Sequence, residues 1–237
     1  MRAIYLKGVK DEIDKDIITI KGEKAHHLQK VARVKIGESI LILDGNGHTV
    51  KALIESHGKK ELQVKVIESK SIELHKPTFD LAFCTPKKSA CDEILKIATE
   101  LGINQIYPVQ SDFSSRYPFN NERVEKLIES ALIQSNNPFF PKFNEVISFN
   151  EFESLFEGYD RVFVFSSKDY VQTSRKKIGS FKKGLVIIGP EGGFSPIEES
   201  FLEGGSKNIK IHLSTPILRA PHALSVAVGF LMGCLVE

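Results

Sequence analysis

Three short segments, RVFVF (161–165), LVIIG (185–189) and IKIHL (209–213), constrain this chain more than anything else in it. A strand with one wet face alternates apolar and polar residues. These three are read as runs without that alternation, and strands covered on both faces belong to parallel sheets with helices packed above and below. The segments around them fit. FDLAFC (79–84) is followed by SACDEILKIATELG (89–102), where Ser89 is placed to cap a helix, Ile94, Ile97, Ala98 and Leu101 share one face, and Gly102 supplies a left-handed stop. INQIYPV (103–109) is a further strand, and a helix from about Asn121 carries Val124, Leu127, Ile128, Ala131 and Leu132 on one stripe. Strand and helix alternate from about residue 74 to the end, which is the pattern of an α/β domain.

The first 73 residues have another rhythm. RAIYL, IITI, SILILD, HTVKALI and ELQVKVIE read as short strands, and Asp44-Gly45-Asn46-Gly47 joins two of them as a hairpin turn. A single helical piece, GEKAHHLQKVARV, sets Ala25, Leu28, Val31 and Ala32 at helical spacing. The reading is a small β-barrel with one helix over residues 1–73, then an α/β domain over 74–237. A chain of 237 residues is long enough to give each a core.

Several classes drop out. Cys84, Cys91 and Cys234 show no CxxC or Cys/His spacing suited to zinc, and the adjacent His26 and His27 point about 100° apart on a helix, so no metal site is expected. No secretory pattern opens the chain, and the apolar stretch from Ala223 to Val236 is too short to span a bilayer, which together predict a cytoplasmic protein with no membrane partner. The first 73 residues hold 14 lysines and arginines against 11 acids, the remainder 18 against 19. That excess is too mild to establish nucleic-acid binding, and it says only that the first domain is the place to look first.

The stretch GLVIIGPEGGFSPIEES (184–200) carries the chemistry. Ser195-Pro196-Ile197-Glu198 is a capping box with proline at the first helical position, so the order is strand, glycine loop, helix. Ligands of α/β folds bind there, at the carboxyl end of a parallel strand. The loop lacks the lysine of a phosphate-binding GxxxxGK[ST] and the spacing of GxGxxG, and it holds Glu191, which would repel a pyrophosphate. Two readings stay open from these residues: a site for a neutral or cationic ligand, or a tight connection with no ligand. Arg219, alone between apolar neighbours ahead of the small-residue helix APHALSVAVGF, tilts the balance toward a site, because a buried cation needs a partner or a task.

IGPEGGFSPIEE followed by LSTPILRAPHALSVAVGF resembles the C-terminal signature of the RsmE family, SPOUT-class methyltransferases that make 3-methyluridine in 16S ribosomal RNA. KIATELGINQIYPV and HHLQKVARVKIGESILILDGNG extend the resemblance over most of the chain in the same order. It implies a homodimer in which a PUA-like β-barrel precedes a SPOUT-type knotted α/β domain with a parallel sheet. The implied cofactor is S-adenosyl-L-methionine, bound by Ile188, Gly189, Pro190, Glu191, Gly192, Gly193, Leu213, Ser214, Ile217, Leu218 and Arg219. Arg219 is the implied electrostatic catalyst or phosphate grip, and Glu191 a base or an organiser of its own turn; an RNA substrate held around its target base makes Arg2, Lys30, Arg33 and Lys35 of the first domain the candidate phosphate contacts.

The chain departs from the family in places. Where the family reads ILRTETA it has Ile217-Leu218-Arg219-Ala220-Pro221-His222-Ala223, with a proline expected to constrain the loop; Ile97 replaces a lysine, and Gln134-Ser135-Asn136-Asn137 lacks the arginine of QSxR. These losses are expected near the site. They leave two outcomes: a divergent enzyme in which His222 and other groups compensate, or an RNA-binding or ribosome-assembly protein with impaired catalysis.

Overall fold

The computed structural model describes residues 1–12, 16–166, 178–213 and 215–235, with backbone alone at 10, 11 and 166. The chain forms two compact units. The first comprises Met1–Leu74 with Leu132–Phe140, and the second His75–Ala131 with Pro141–Glu237.

The first unit is built on a five-stranded sheet from β1 (Arg2–Tyr5), β2 (Ile17–Lys21), β3 (Ser39–Leu43), β4 (His48–His57) and β5 (Glu61–Ser71), in the order β1-β3-β4-β5-β2. β1 runs parallel to β3 and the other pairs are antiparallel. Alternation places Ile18, Ile20, Ile40, Ile42, Leu62 and Val64 in a common core, each fully buried. The turn between β3 and β4 is held by Asp44, whose Oδ1 accepts from the backbone N–H of Asn46 (2.7 Å) and of His48 (2.9 Å). Gly45 and Gly47 adopt φ of 79° and 92°, and a side chain at Gly47 would strike the Ile72 carbonyl at 2.5 Å. The segment 138–140 closes on this turn: Gly47 N–H donates to Pro138 O at 3.0 Å and Phe140 N–H to Gly45 O at 2.8 Å.

The helical piece of this unit departs from the sequence reading. α1 spans Gly22–His26, and His27–Val31 is then wound as a π turn, in which Ala32 N–H reaches back to His27 O at 2.8 Å. The extra residue in this turn rotates the positions after it, so Ala25 and Leu28 face the core as expected while Val31 is 65% exposed.

The second unit holds a seven-stranded sheet in which the strands pair in parallel throughout the described residues, with β6 (Thr78–Cys84), β7 (Gln105–Gln110), β8 (Lys142–Phe143), β9 (Ile147–Ser148), β10 (Arg161–Ser166), β11 (Lys183–Ile188) and β12 (Asn208–His212). Its order is β12-β10-β11-β6-β7-β8, with β9 also on β7. β11 lies centrally between β10 and β6, and Leu185 to Ile188 are buried as a two-sided strand requires. IKIHL is the exception to the sequence reading. Among the described residues β12 pairs with β10 alone, as the edge strand of the sheet, and of its own residues only Ile211 is buried.

Beyond α1, the helices of the described residues are α2 (Lys88–Glu100), α3 (Asn121–Ser135), α4 (Phe152–Phe156), α5 (Pro196–Gly204) and α6 (Ala220–Leu235). α2 ends as its sequence predicts. Gly102, at φ 74°, donates to Thr99 O, and Ile103 N–H reaches Ala98 O at 2.9 Å, closing the last turn. Its start does not: Lys87 is the capping residue and Ser89 lies inside the first turn, making no cap bond. The Ser195–Glu198 capping box of α5 is present, with Glu198 Oε2 accepting from Ser195 N–H at 2.9 Å. Among the described residues, no helix is long and apolar enough to cross a membrane.

Candidate active site

The carboxyl ends of β6, β11 and β12 open onto one cavity of about 480 Å³. Lys87, Ser89 and Ala90 come from the connection after β6, Ile188, Gly189, Pro190, Glu191, Gly193 and Phe194 from the connection after β11, and Leu213 with Thr215–Arg219 from the connection after β12. Phe165 at the end of β10 and Ala220 and Ala223 of α6 complete the lining. Parallel strands direct their loops to one end of a sheet, and so residues more than a hundred positions apart meet.

Two glycines of the loop, Gly189 and Gly193, each have their own reason. A side chain at Gly189 would meet the Phe194 ring at 2.9 Å, and the buried Phe194 belongs to the core beneath. Gly193 has φ 75° and donates to Pro190 O at 2.9 Å, which closes the turn around Glu191 and Gly192. Behind this turn Glu198, itself 3% exposed, ties two loops together: its Oε1 accepts from the backbone N–H of Asp112 at 2.8 Å.

The implied cofactor residues gather well. Ile188, Gly189, Pro190, Glu191, Gly193, Leu213, Ile217, Leu218 and Arg219 all line the cavity. Gly192 is one step outside the lining, against Phe113, and Ser214 lies outside the described residues. The expectation that Arg219 is buried is corrected: it is exposed at the cavity, at the start of α6, where its carbonyl accepts from Ala223 N–H at 2.9 Å. Glu191 is exposed too, and its carboxylate accepts no hydrogen bond among the described residues, so it does not organise its own turn. Pro221 falls in the first turn of α6, where a missing N–H costs nothing, so it does not constrain the loop as expected. His222 is exposed and absent from the lining, Ile97 is also absent from it, and Asn137 belongs to the first unit.

Sequence reasoning missed Lys87. It caps α2 and lines the cavity together with Arg219, and neither α2 nor α6 has an acidic residue in its first turn. A cation at the positive end of a helix dipole is unfavourable, and here two helices carry one each into the same cavity. Neither Lys87 nor Arg219 has an ion-pair partner among the described residues. Among the described lining residues Glu191 is the sole carboxylate, set against the two cations Lys87 and Arg219. The dipeptide Lys87-Lys88 ahead of an acid-free helical turn was the available signal.

The RNA-contact candidates sit on the first unit. Lys30, Arg33 and Lys35 are all exposed along the π turn and the segment leaving it, and Arg33 holds φ 51°, uncommon outside glycine and asparagine. Arg2, also exposed, stands beside Ile40 at the start of β3, into which that segment leads.

Comparison with known proteins shows the family and the fold. The profile of the RNA methyltransferase domain family matches residues 74–232, and that of the RNA methyltransferase PUA domain matches residues 20–67. The chain is 28% identical over 231 residues to ribosomal RNA small subunit methyltransferase E 2 of Borreliella burgdorferi, covering 94% of this chain and 93% of that protein. It is 26% identical over 231 residues to ribosomal RNA small subunit methyltransferase E of Synechocystis, covering 92% and 74%. Among solved structures, ribosomal RNA small subunit methyltransferase E from Neisseria gonorrhoeae bound to S-adenosyl methionine superposes with a TM-score of 0.82 at 22% identity, over 98% of this chain and 97% of that one, and so shares the fold.

Proposed function

We propose, from the premise that this chain belongs to the RNA methyltransferase domain family, that it transfers a methyl group from S-adenosyl-L-methionine to N3 of a uridine in 16S ribosomal RNA. One observation carries the reading: the glycine loop, Leu213 and the Thr215–Arg219 segment converge on a single cavity at the carboxyl end of the sheet.

The residues present fit the cofactor. A cavity of about 480 Å³ is within the range of small-molecule sites, and Phe165, Ile188 and Leu218 give it the apolar surface an adenine needs. The loop carries no phosphate-binding lysine, and the cofactor has no phosphate. When bound, S-adenosyl-L-methionine supplies a methyl group activated by its sulfonium, the C–S bond breaking as the N3–C bond forms.

The rest falls to the protein. Uridine N3 carries a proton and is a poor nucleophile until that proton leaves. Arg219 and Lys87 hold positive charge where the uracil anion develops, which lowers the cost of losing it. Glu191 is the carboxylate positioned to take the proton or pass it to water. Residues 1–73, with Arg2, Lys30, Arg33 and Lys35, hold the RNA, and residues 74–237 perform the transfer. The working form is a cytoplasmic homodimer with a knotted second domain.

Two measurements test this. Calorimetric titration of the purified chain with S-adenosyl-L-methionine shows saturable 1:1 binding per chain, whereas no binding would refute an enzyme and favour an RNA-binding role. Mapping 3-methyluridine in ribosomal RNA from cells with and without the gene then shows one lost mark; a mark lost at another base would redirect the substrate assignment.

A further inference from the structure

Phe113 stands out once the fold is known. Of the phenylalanines and tyrosines among the described residues it alone is exposed, at 56%, while the others are buried or half-buried. An isolated exposed aromatic needs no explanation by itself. Its position and its support do.

The residue lies in the connection between β7 and α3, at the same end of the sheet as the cavity. It rests against the glycine loop: a methyl group on Gly192 would touch Phe113 Cβ at 3.4 Å, and the residues on either side of Gly192, Glu191 and Gly193, both line the cavity. The turn that presents it is braced on every side. Ser114 N–H donates to Ser111 O at 3.1 Å, Ser111 N–H to Ser114 Oγ at 3.1 Å, and Asp112 N–H to the buried Glu198 at 2.8 Å. Ser115 N–H donates to Thr85 O at 2.8 Å, fixing the turn to the end of β6. So an aromatic ring is held on a rigid turn with much of its surface in water, beside the reacting cavity, with exposed Arg116 on the same connection. Unpaired RNA bases are held by stacking on such rings, with cations taking the adjoining phosphates.

We propose that Phe113 is a stacking platform for an unpaired nucleobase of the RNA substrate, next to the methyl-transfer cavity. The assignment rests on the RNA methyltransferase reading above and adds to it a substrate-positioning residue. Stacking is tolerant of base identity, so Phe113 contributes grip and placement, and the cavity itself reads the base that reacts.

The chain contains no tryptophan, so Phe113→Trp introduces a single indole at the platform and a spectroscopic signal independent of catalysis. Its emission is expected to be quenched when unmodified 16S ribosomal RNA is added in the presence of S-adenosylhomocysteine. Phe113→Ala and Phe113→Leu are expected to lower kcat/KM for the RNA by roughly 5- to 100-fold, with S-adenosyl-L-methionine affinity held. Phe113→Tyr and Phe113→Trp recover most of that loss. Full activity in Phe113→Leu would overturn the platform, since an aliphatic side chain of similar bulk cannot stack. Cofactor affinity falling in step with activity would show a brace for the glycine loop instead, and a changed oligomeric state in Phe113→Ala on sedimentation would show a contact between copies; either result overturns it. A quenched Phe113→Trp in a chain that methylates no RNA would sink the methyltransferase reading and leave the platform standing.

Discussion

Arg219 begins a helix, the place where a positive side chain gains least from the backbone, and it faces the cavity without a carboxylate partner among the described residues. A role in stabilising the reacting uracil predicts a specific split. Arg219→Ala should reduce turnover by about 100-fold while the calorimetric affinity for S-adenosyl-L-methionine changes by less than about threefold; equal losses in both would make it a binding residue. Lys87→Ala, at the other helix start, is expected to behave in the same sense. The cysteines make a separate prediction. Burial pushes the thiols of Cys84 and Cys91 up to about 12, so both stay protonated at pH 8 and are expected to resist iodoacetamide in the folded protein, as mass spectrometry of the labelled chain would show. Unfolded thiols ionise near 9.0 while folded Cys84 holds its proton to about 12, so the native state binds more protons over that interval. Stability contributed in this way is complete below pH 9 and is lost as pH rises toward 12. Urea midpoints between pH 8 and 11 should therefore fall less steeply in Cys84→Ala than in the parent chain.

At the level of elements, the sequence was most informative where one local rule decides. The Ser195–Glu198 box, the Gly102 stop and the Asp44–Gly47 turn are all realised, because each depends on residues a few positions apart. The failures come from neighbours that sequence spacing does not reveal. Ser89 has a capping side chain, yet the helix starts two residues sooner than that cap would set it, at Lys88 with Lys87 in the capping position. Val31 keeps helical spacing until the π turn rotates it into water. IKIHL alternates after all, and its polar residues mark the sheet edge it occupies. For the site, the glycine loop and Arg219 were legible as motifs, whereas Lys87 and Phe113 became visible when connections after different strands met. Glu198 offers the test at this scale. Its carboxylate serves Ser195 N–H and Asp112 N–H from a buried position, so Glu198→Ala is expected to lower unfolding free energy by about 2 kcal/mol in urea denaturation. It should also loosen the Phe113 turn, seen as faster amide exchange at Asp112.

Across the whole molecule, the second unit is secured at the end of its sheet opposite the cavity by one buried carboxylate. Asp80 is fully buried and accepts from Tyr159 Oη (2.7 Å), Gln105 N–H (3.0 Å) and Asn104 Nδ2 (3.1 Å), with Lys183 Nζ at 3.4 Å. Burial and then Asp80 itself push the Tyr159 phenol well above its ordinary value, so it remains a donor throughout the working range. Asp80→Ala leaves all of these partners facing a void, and a loss of about 3 kcal/mol in urea denaturation is expected, with cofactor affinity per folded chain preserved because the cavity is at the far end. The assignment of Leu132–Phe140 to the first unit has its own consequence. The two units are interleaved in the gene: no single cut yields both intact, since a fragment ending at residue 74 loses the strand-like cover that 138–140 gives the Gly45–Gly47 turn. A unit of this design cannot be exchanged between proteins by one recombination event, and it is finished only after the ribosome has already made the first third of its companion.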